Sequence, residues 1–135
     1  MTKDEQSPLP IHDLALQDQR MLHILQALAL PASDQQSLYP DNVVIADELA
    51  FEFTYALMPF LGGKGFILEG QHVEPLFALD DAIDHLSDHV PDAWTRQAHE
   101  LHASWQEIRN LALKALTALG WPLEKPPSYH NESFE

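Results

Sequence analysis

Residues 46–60 read ADELAFEFTYALMPF. Ala46, Leu49, Ala50, Phe53, Leu57 and Phe60 recur at helical spacing and form one continuous apolar stripe. Phe51, Tyr55 and Met58 form a second stripe on another side of the same helix. A helix that is apolar on two sides is ordinarily central in a bundle. The expectation is therefore an all-α protein with this helix in its middle. Asp41 or Asn42 can cap its start by accepting from an orphan amide. Pro59 is expected to kink or end it, and Gly62, Gly63 and Gly65 to punctuate a turn.

The flanking segments carry the same period. In residues 11–30, Leu14, Met21, Leu22, Leu25, Leu28 and Ala29 predict a first helix that Pro31 ends. Residues 31–40, PASDQQSLYP, have loop composition. Phe66, Ile67 and Leu68 are expected to tuck in between helices. A third helix is predicted over roughly 72–89, with Val73, Leu76, Leu79, Ile83 and Leu86 inward and Pro75 in its first turn. Asp92 is a good cap for a short helical segment over 93–103. Ser104-Trp105-Gln106-Glu107 has the pattern of a capping box, so a last helix is predicted from near Trp105 to Leu119. Gly120 and Pro122 supply its stop.

The resulting expectation is a compact bundle of four main helices plus one short helix. A single domain over 11–120 lies between a loose arm at 1–10 and a tail at 121–135. Trp94, Trp105 and Trp121 read as packing anchors, and Trp121 and Leu123 as the tail's only attachments.

Charge is the strongest functional signal. Between Arg20 and Arg96 the chain has twelve carboxylates and one cation, Lys64, and the net charge is −14. Such a surface repels nucleic acid and anionic membranes and attracts cationic partners. Arg96, Arg109 and Lys114 come late in the chain, and Arg109 and Lys114 are expected to pair with acids of the second or third helix. There is no cysteine, which removes disulfides, thiolate zinc sites and a cysteine nucleophile. Residues 1–10 lack the basic start and apolar run of a secretory signal. The expected setting is the cytoplasm.

Few motifs carry chemistry. In DDAIDHLSDH (80–89), Asp81, His85 and His89 fall on one helical face with Asp84 and Asp88. Imidazole and carboxylate are ligands for zinc, nickel or iron. A metal-dependent helical enzyme or metal-binding protein is thus the alternative reading. The same face lies opposite Leu76, Ile83 and Leu86, which makes a solvated surface the default. His99 and His102 in HELH are three apart and lack the spacing of the zinc-protease signature; they read as ordinary surface histidines. Gly62-Gly63-Lys64-Gly65 lacks the phosphate-loop spacing. No catalytic residue and no cofactor are assigned.

The favoured reading is a protein-binding module. Its candidate contact residues are Glu48, Glu52, Tyr55, Asp80, Asp81, Asp84 and Asp88. For Phe51, Tyr55 and Met58, burial in the core is favoured over an exposed patch rimmed by acids.

Trp105 to Leu119, WQEIRNLALKALTAL, preceded by Trp94 and by the acidic helix at Ala46–Phe53, resembles a layout seen in small acidic all-α bacterial proteins of uncharacterised function. Some of those are of immunity-protein type. The resemblance suggests an immunity protein that blocks a bacterial toxin. The acidic charge suits that role, since it would occlude the basic site of a toxin or nucleic-acid-binding protein without binding nucleic acid or membrane itself, and a monomer or homodimer is expected. The resemblance transfers no catalytic residue.

Overall fold

A computed structural model describes residues 16–40, 43–64, 70–89, 92 and 94–127. They form six helices: α1 (Leu16–Ala29), α2 (Ala32–Ser37), α3 (Ile45–Lys64), α4 (Gly70–His89), α5 (Arg96–Leu101) and α6 (Ala103–Leu119). No strand occurs among the described residues, and the fold is all-α. The arm at 1–10, the caps Asp41 and Asn42, the segment Phe66–Leu68 and the end of the tail lie outside the described residues.

The centre of the bundle is α1, not α3. Met21, Leu22, Ile24, Leu25, Ala27 and Leu28 are all buried, and consecutive positions of a helix point all around its axis. From Ile24 to Leu28 the helix is buried on every side, which marks a core helix, while Leu16 and Arg20 in its first turns are exposed. α1 packs against α3 on one flank and α6 on another, and α6 in turn packs against α4.

α3 buries one face only. Ala46, Leu49, Ala50, Phe53, Leu57 and Phe60 are in the core, as their spacing implies. Phe51, Tyr55 and Met58 are instead more than half exposed. The favoured burial of that second stripe is thus corrected: α3 leans on α1 and touches α5, and among the described residues no helix packs on its far side. Nor does Pro59 end the helix, which runs on to Lys64. Pro59 and Tyr55 are exposed, so water can serve the Tyr55 carbonyl that the missing amide leaves unpaired.

α4 starts at Gly70, which places Pro75 in its second turn. Leu76, Leu79, Ile83 and Leu86 are buried and Val73 is half-buried, all facing α6 and the core. In α6, Trp105, Ile108, Ala112, Ala115 and Leu116 are buried, and the two alanines permit close helix approach. Gly120 ends it in the left-handed region at φ 75°. Its amide reaches the Thr117 carbonyl and the Trp121 amide reaches Leu116, which is the Schellman pattern. Trp121 then packs edge-on against Phe60 at 5.8 Å, and Gln26 Nε2 donates to the Pro122 carbonyl at 3.0 Å. Leu123 is exposed.

Two local readings change. Residues 32–37 are helical rather than loop, starting after Pro31. α6 begins at Ala103, and its cap is the His102 imidazole, whose Nδ1 accepts from the Ser104 amide at 3.0 Å. Ser104 therefore lies inside the helix and does not cap it. Thr95, not Asp92, caps α5, its hydroxyl accepting from the Ala98 amide.

Candidate functional site

Among the described residues, the outward face of α3 carries four of the exposed large apolar side chains. Val44, Glu48, Phe51, Tyr55 and Met58 follow one another at steps of three and four, so they share one side of the helix. Val44, Phe51, Tyr55 and Met58 are 54%, 53%, 60% and 70% exposed. The Phe51 and Tyr55 rings meet edge-to-face with centroids 4.4 Å apart. That contact pre-orders two large side chains on an open surface. Asp47 is exposed beside them, and Glu48 and Glu52 are half-buried along the same helix. A contiguous apolar strip rimmed by carboxylates is typical of a protein contact surface.

The α4 candidates stand apart. Asp81, Asp84, His85 and Asp88 are exposed, and Asp80 is half-buried. Burial raises the Asp80 carboxyl above its ordinary range, and the charges of Asp84 and Asp81 raise it further. α3 and α4 make no extended contact with each other. Glu48, Glu52 and Tyr55 stand on α3, and Asp80, Asp81, Asp84 and Asp88 on α4. Among the described residues no group of three or more histidine, aspartate or glutamate side chains converges as a cation site. Asp81 and His85 face water, and the His89 side chain lies outside the described residues.

The structure contains a second constellation that the sequence reading missed. His99 is fully buried, which corrects its reading as a surface histidine. It sits with Gln35 and Arg109, also buried, where α1, α2, α5 and α6 meet. Gln35 Nε2 donates to the Ala27 and Leu28 carbonyls at 3.0 and 2.9 Å, in the last turn of α1, where the Ala27 carbonyl also accepts from the Leu30 amide. Gln35 Oε1 accepts from His99 Nε2 at 2.6 Å and from Arg109 Nε at 3.2 Å. Arg109 Nη2 donates to the His99 carbonyl. Among the described residues, Arg109 thus binds neutral oxygens and not the helix-two or helix-three acids expected for it.

The protonation state follows from this network. The Gln35 amide nitrogen is committed to two carbonyls, so its oxygen must face His99, and His99 Nε2 must carry the proton. Burial, assisted by the charge of Arg109, lowers the His99 pKa to about 4. The ring is then neutral at pH 7, and Nδ1 is left as a lone-pair acceptor. It is buried and has no hydrogen-bond partner among the described residues. Burial also lowers the pKa of Arg109. Trp105, fully buried, meets His99 edge-on at 5.2 Å and Trp94 at 6.1 Å. A cavity of about 320 Å³ adjoins this centre, lined by residues 43–46, Trp94, Thr95, Arg96 and His99.

No protein-family model, curated protein or solved structure matches this chain. Among the described residues, no helix is long and apolar enough to cross a membrane.

Proposed function

We propose that this chain is a small acidic protein-binding module whose contact surface is the outward face of α3. Its partner is a protein that presents a basic surface with apolar ground inside it. The observation that carries this reading is the exposure of Phe51, Tyr55 and Met58 on one helix face beside Asp47, Glu48 and Glu52. Burying such a side chain is worth about 1.5–3 kcal/mol. Three of them together outweigh much of the ordering cost of association. The net charge of −14 adds long-range attraction for a cationic partner, which speeds encounter and makes it salt-sensitive.

Within this reading the chain serves as a cytoplasmic immunity protein or inhibitor. It covers the basic phosphate-binding site of a toxin or a nucleic-acid-binding protein. An acidic, preorganised helix face suits that task because it competes with polyanions for the same cations. Tyr55, with a hydroxyl at the end of a large ring, is the expected hot spot.

Site-specific photo-cross-linking tests the surface directly. A photoreactive phenylalanine analogue replaces Tyr55 in one variant and Asp84 in another, each expressed in native cells. The expected result is one dominant adduct from position 55 only, with a protein of high isoelectric point. An adduct from position 84 alone, or an acidic partner, overturns the reading.

A further inference from the structure

The exposed strip of α3 is symmetric about Phe51. Val44 lies seven residues before it and Met58 seven after, so the three recur at the heptad spacing of a two-helix seam. At about 100° of turn per residue, Glu48 and Tyr55 lie on one flank of this seam, and Asp47 and Thr54 on the other. Asp47, Thr54 and Tyr55 are exposed, and Glu48 is half-buried.

A two-fold axis at Phe51 makes this strip its own complement. Two copies of α3 then run antiparallel, with Phe51 against Phe51 and Val44 level with Met58 of the second copy. Tyr55 falls beside Glu48 of the second copy, and Thr54 beside Asp47. Each is a hydroxyl donor against a carboxylate acceptor. A parallel pairing sets Asp47 and Glu48 against their own copies, where like charges repel. Antiparallel order moves each of these acids about 10 Å along the axis from its own copy.

Resting on the reading of this strip as a contact surface, we infer that a second copy of this chain docks there, antiparallel and centred on Phe51. It covers the strip until a basic partner displaces it. The seam is one helix wide and about 21 Å long. That falls short of the roughly 800 Å² per side of a standard stable complex, so the dimer is weak and exchanges readily. Each copy carries a net charge of −14, and Glu52, next to Phe51, comes near its own copy at the two-fold. Salt screens this repulsion. The dimer therefore tightens as salt rises, the reverse of binding to a basic partner.

Sedimentation equilibrium of the full-length protein tests the occupant. The average mass is expected to rise from one chain toward two between about 10 μM and about 1 mM, and more steeply in high salt than in low. Phe51→Glu, at an exposed position, should stay monomeric with the helical circular dichroism of the wild type. The register is read by cysteine cross-linking, because the chain has no cysteine of its own. Asp47→Cys and Thr54→Cys both leave Val44, Phe51 and Met58 in place. Mixed and mildly oxidised, the two variants should form a disulfide-linked pair, and neither should do so alone. Asp47→Cys that links to itself means parallel pairing and overturns the assignment. So does a mixture that links no better than either variant alone. Wild-type protein that stays monomeric to about 1 mM overturns it too, while leaving the basic-partner reading intact. A dimer that salt strengthens, with no basic adduct at position 55, supports the second copy and removes the basic partner.

Discussion

His99 Nε2 lies 2.6 Å from Gln35 Oε1 in the protein interior, a bond across 64 residues of sequence. Gln35 uses both amide hydrogens and both oxygen lone pairs in this position, so one side chain ties four helices together. Gln35→Ala would remove a donor from the Ala27 and Leu28 carbonyls, the first of which keeps the Leu30 amide, and would leave the His99 Nε2 and Arg109 Nε donors without their acceptor. At about 1–3 kcal/mol per stranded buried group, partly relieved by water, the loss should be at least about 3 kcal/mol. The neighbouring Gln36→Ala, whose contacts to Glu100 and Arg96 are exposed, should cost less than about 0.5 kcal/mol. Urea titrations of the two variants give the comparison. Similar midpoints for both would show that the junction contributes little.

The same histidine gives a pH dependence of definite sign. Its folded pKa of about 4 lies below the ordinary 6.5, so between these values the unfolded chain binds the extra proton. Stability from this group is complete above pH 6.5 and is lost as pH falls toward 4. The full difference is about 3 kcal/mol. Relief of the self-repulsion of a −14 chain acts in the opposite direction over the same range. The histidine contribution is therefore read as a difference: the stability-against-pH curve of His99→Phe should be flatter between pH 6.5 and 4 than that of the wild type. Parallel curves would mean that His99 titrates normally.

Helix α6 offers a test of its cap. His102→Ala removes the acceptor of the Ser104 amide and should cost about 1 kcal/mol. Ser104→Ala lies within the helix and should stay within about 0.5 kcal/mol of wild type. Trp105→Ala, at a fully buried position, should cost about 3–5 kcal/mol. Thermal denaturation ranks the three. A larger effect at Ser104 than at His102 would restore the capping box.

On the functional side, Phe51→Ser, Tyr55→Ser and Met58→Ser together should leave the helical circular dichroism and the melting temperature close to wild type, since these rings cover no core. Partner binding should fall at least about 100-fold. Asp81→Lys, Asp84→Lys and Asp88→Lys together should slow association with a basic partner by a few-fold through the long-range field, while the dissociation rate stays unchanged. The wild-type on-rate should drop as salt rises. Surface plasmon resonance separates the two rates. A charge reversal on α4 that accelerates dissociation would move the contact surface there.

Much of the architecture follows from local sequence. The α6 stripe from Trp105 to Leu116 and the stop at Gly120 are written within about one helical turn of the residues that need them. So is the buried face of α3, because residues three and four apart share a side whatever the rest of the chain does. The all-α class therefore depends on spacing alone. Spacing also names Phe51, Tyr55 and Met58 as one face, but it does not state what covers them. That depends on how many helices pack around α3; among the described residues the bundle places α1 at the centre and leaves Phe51, Tyr55 and Met58 exposed. The Gln35–His99–Arg109 junction was hidden for a related reason. Its members are polar, 64 and 74 residues apart from Gln35, and each alone has the composition of a surface residue. Only when the chain brings the end of α1, the short α2, α5 and α6 together do their donors and acceptors match. Burial of polar groups is stable only with such matching, and matching is a property of the assembled interior, not of any one segment.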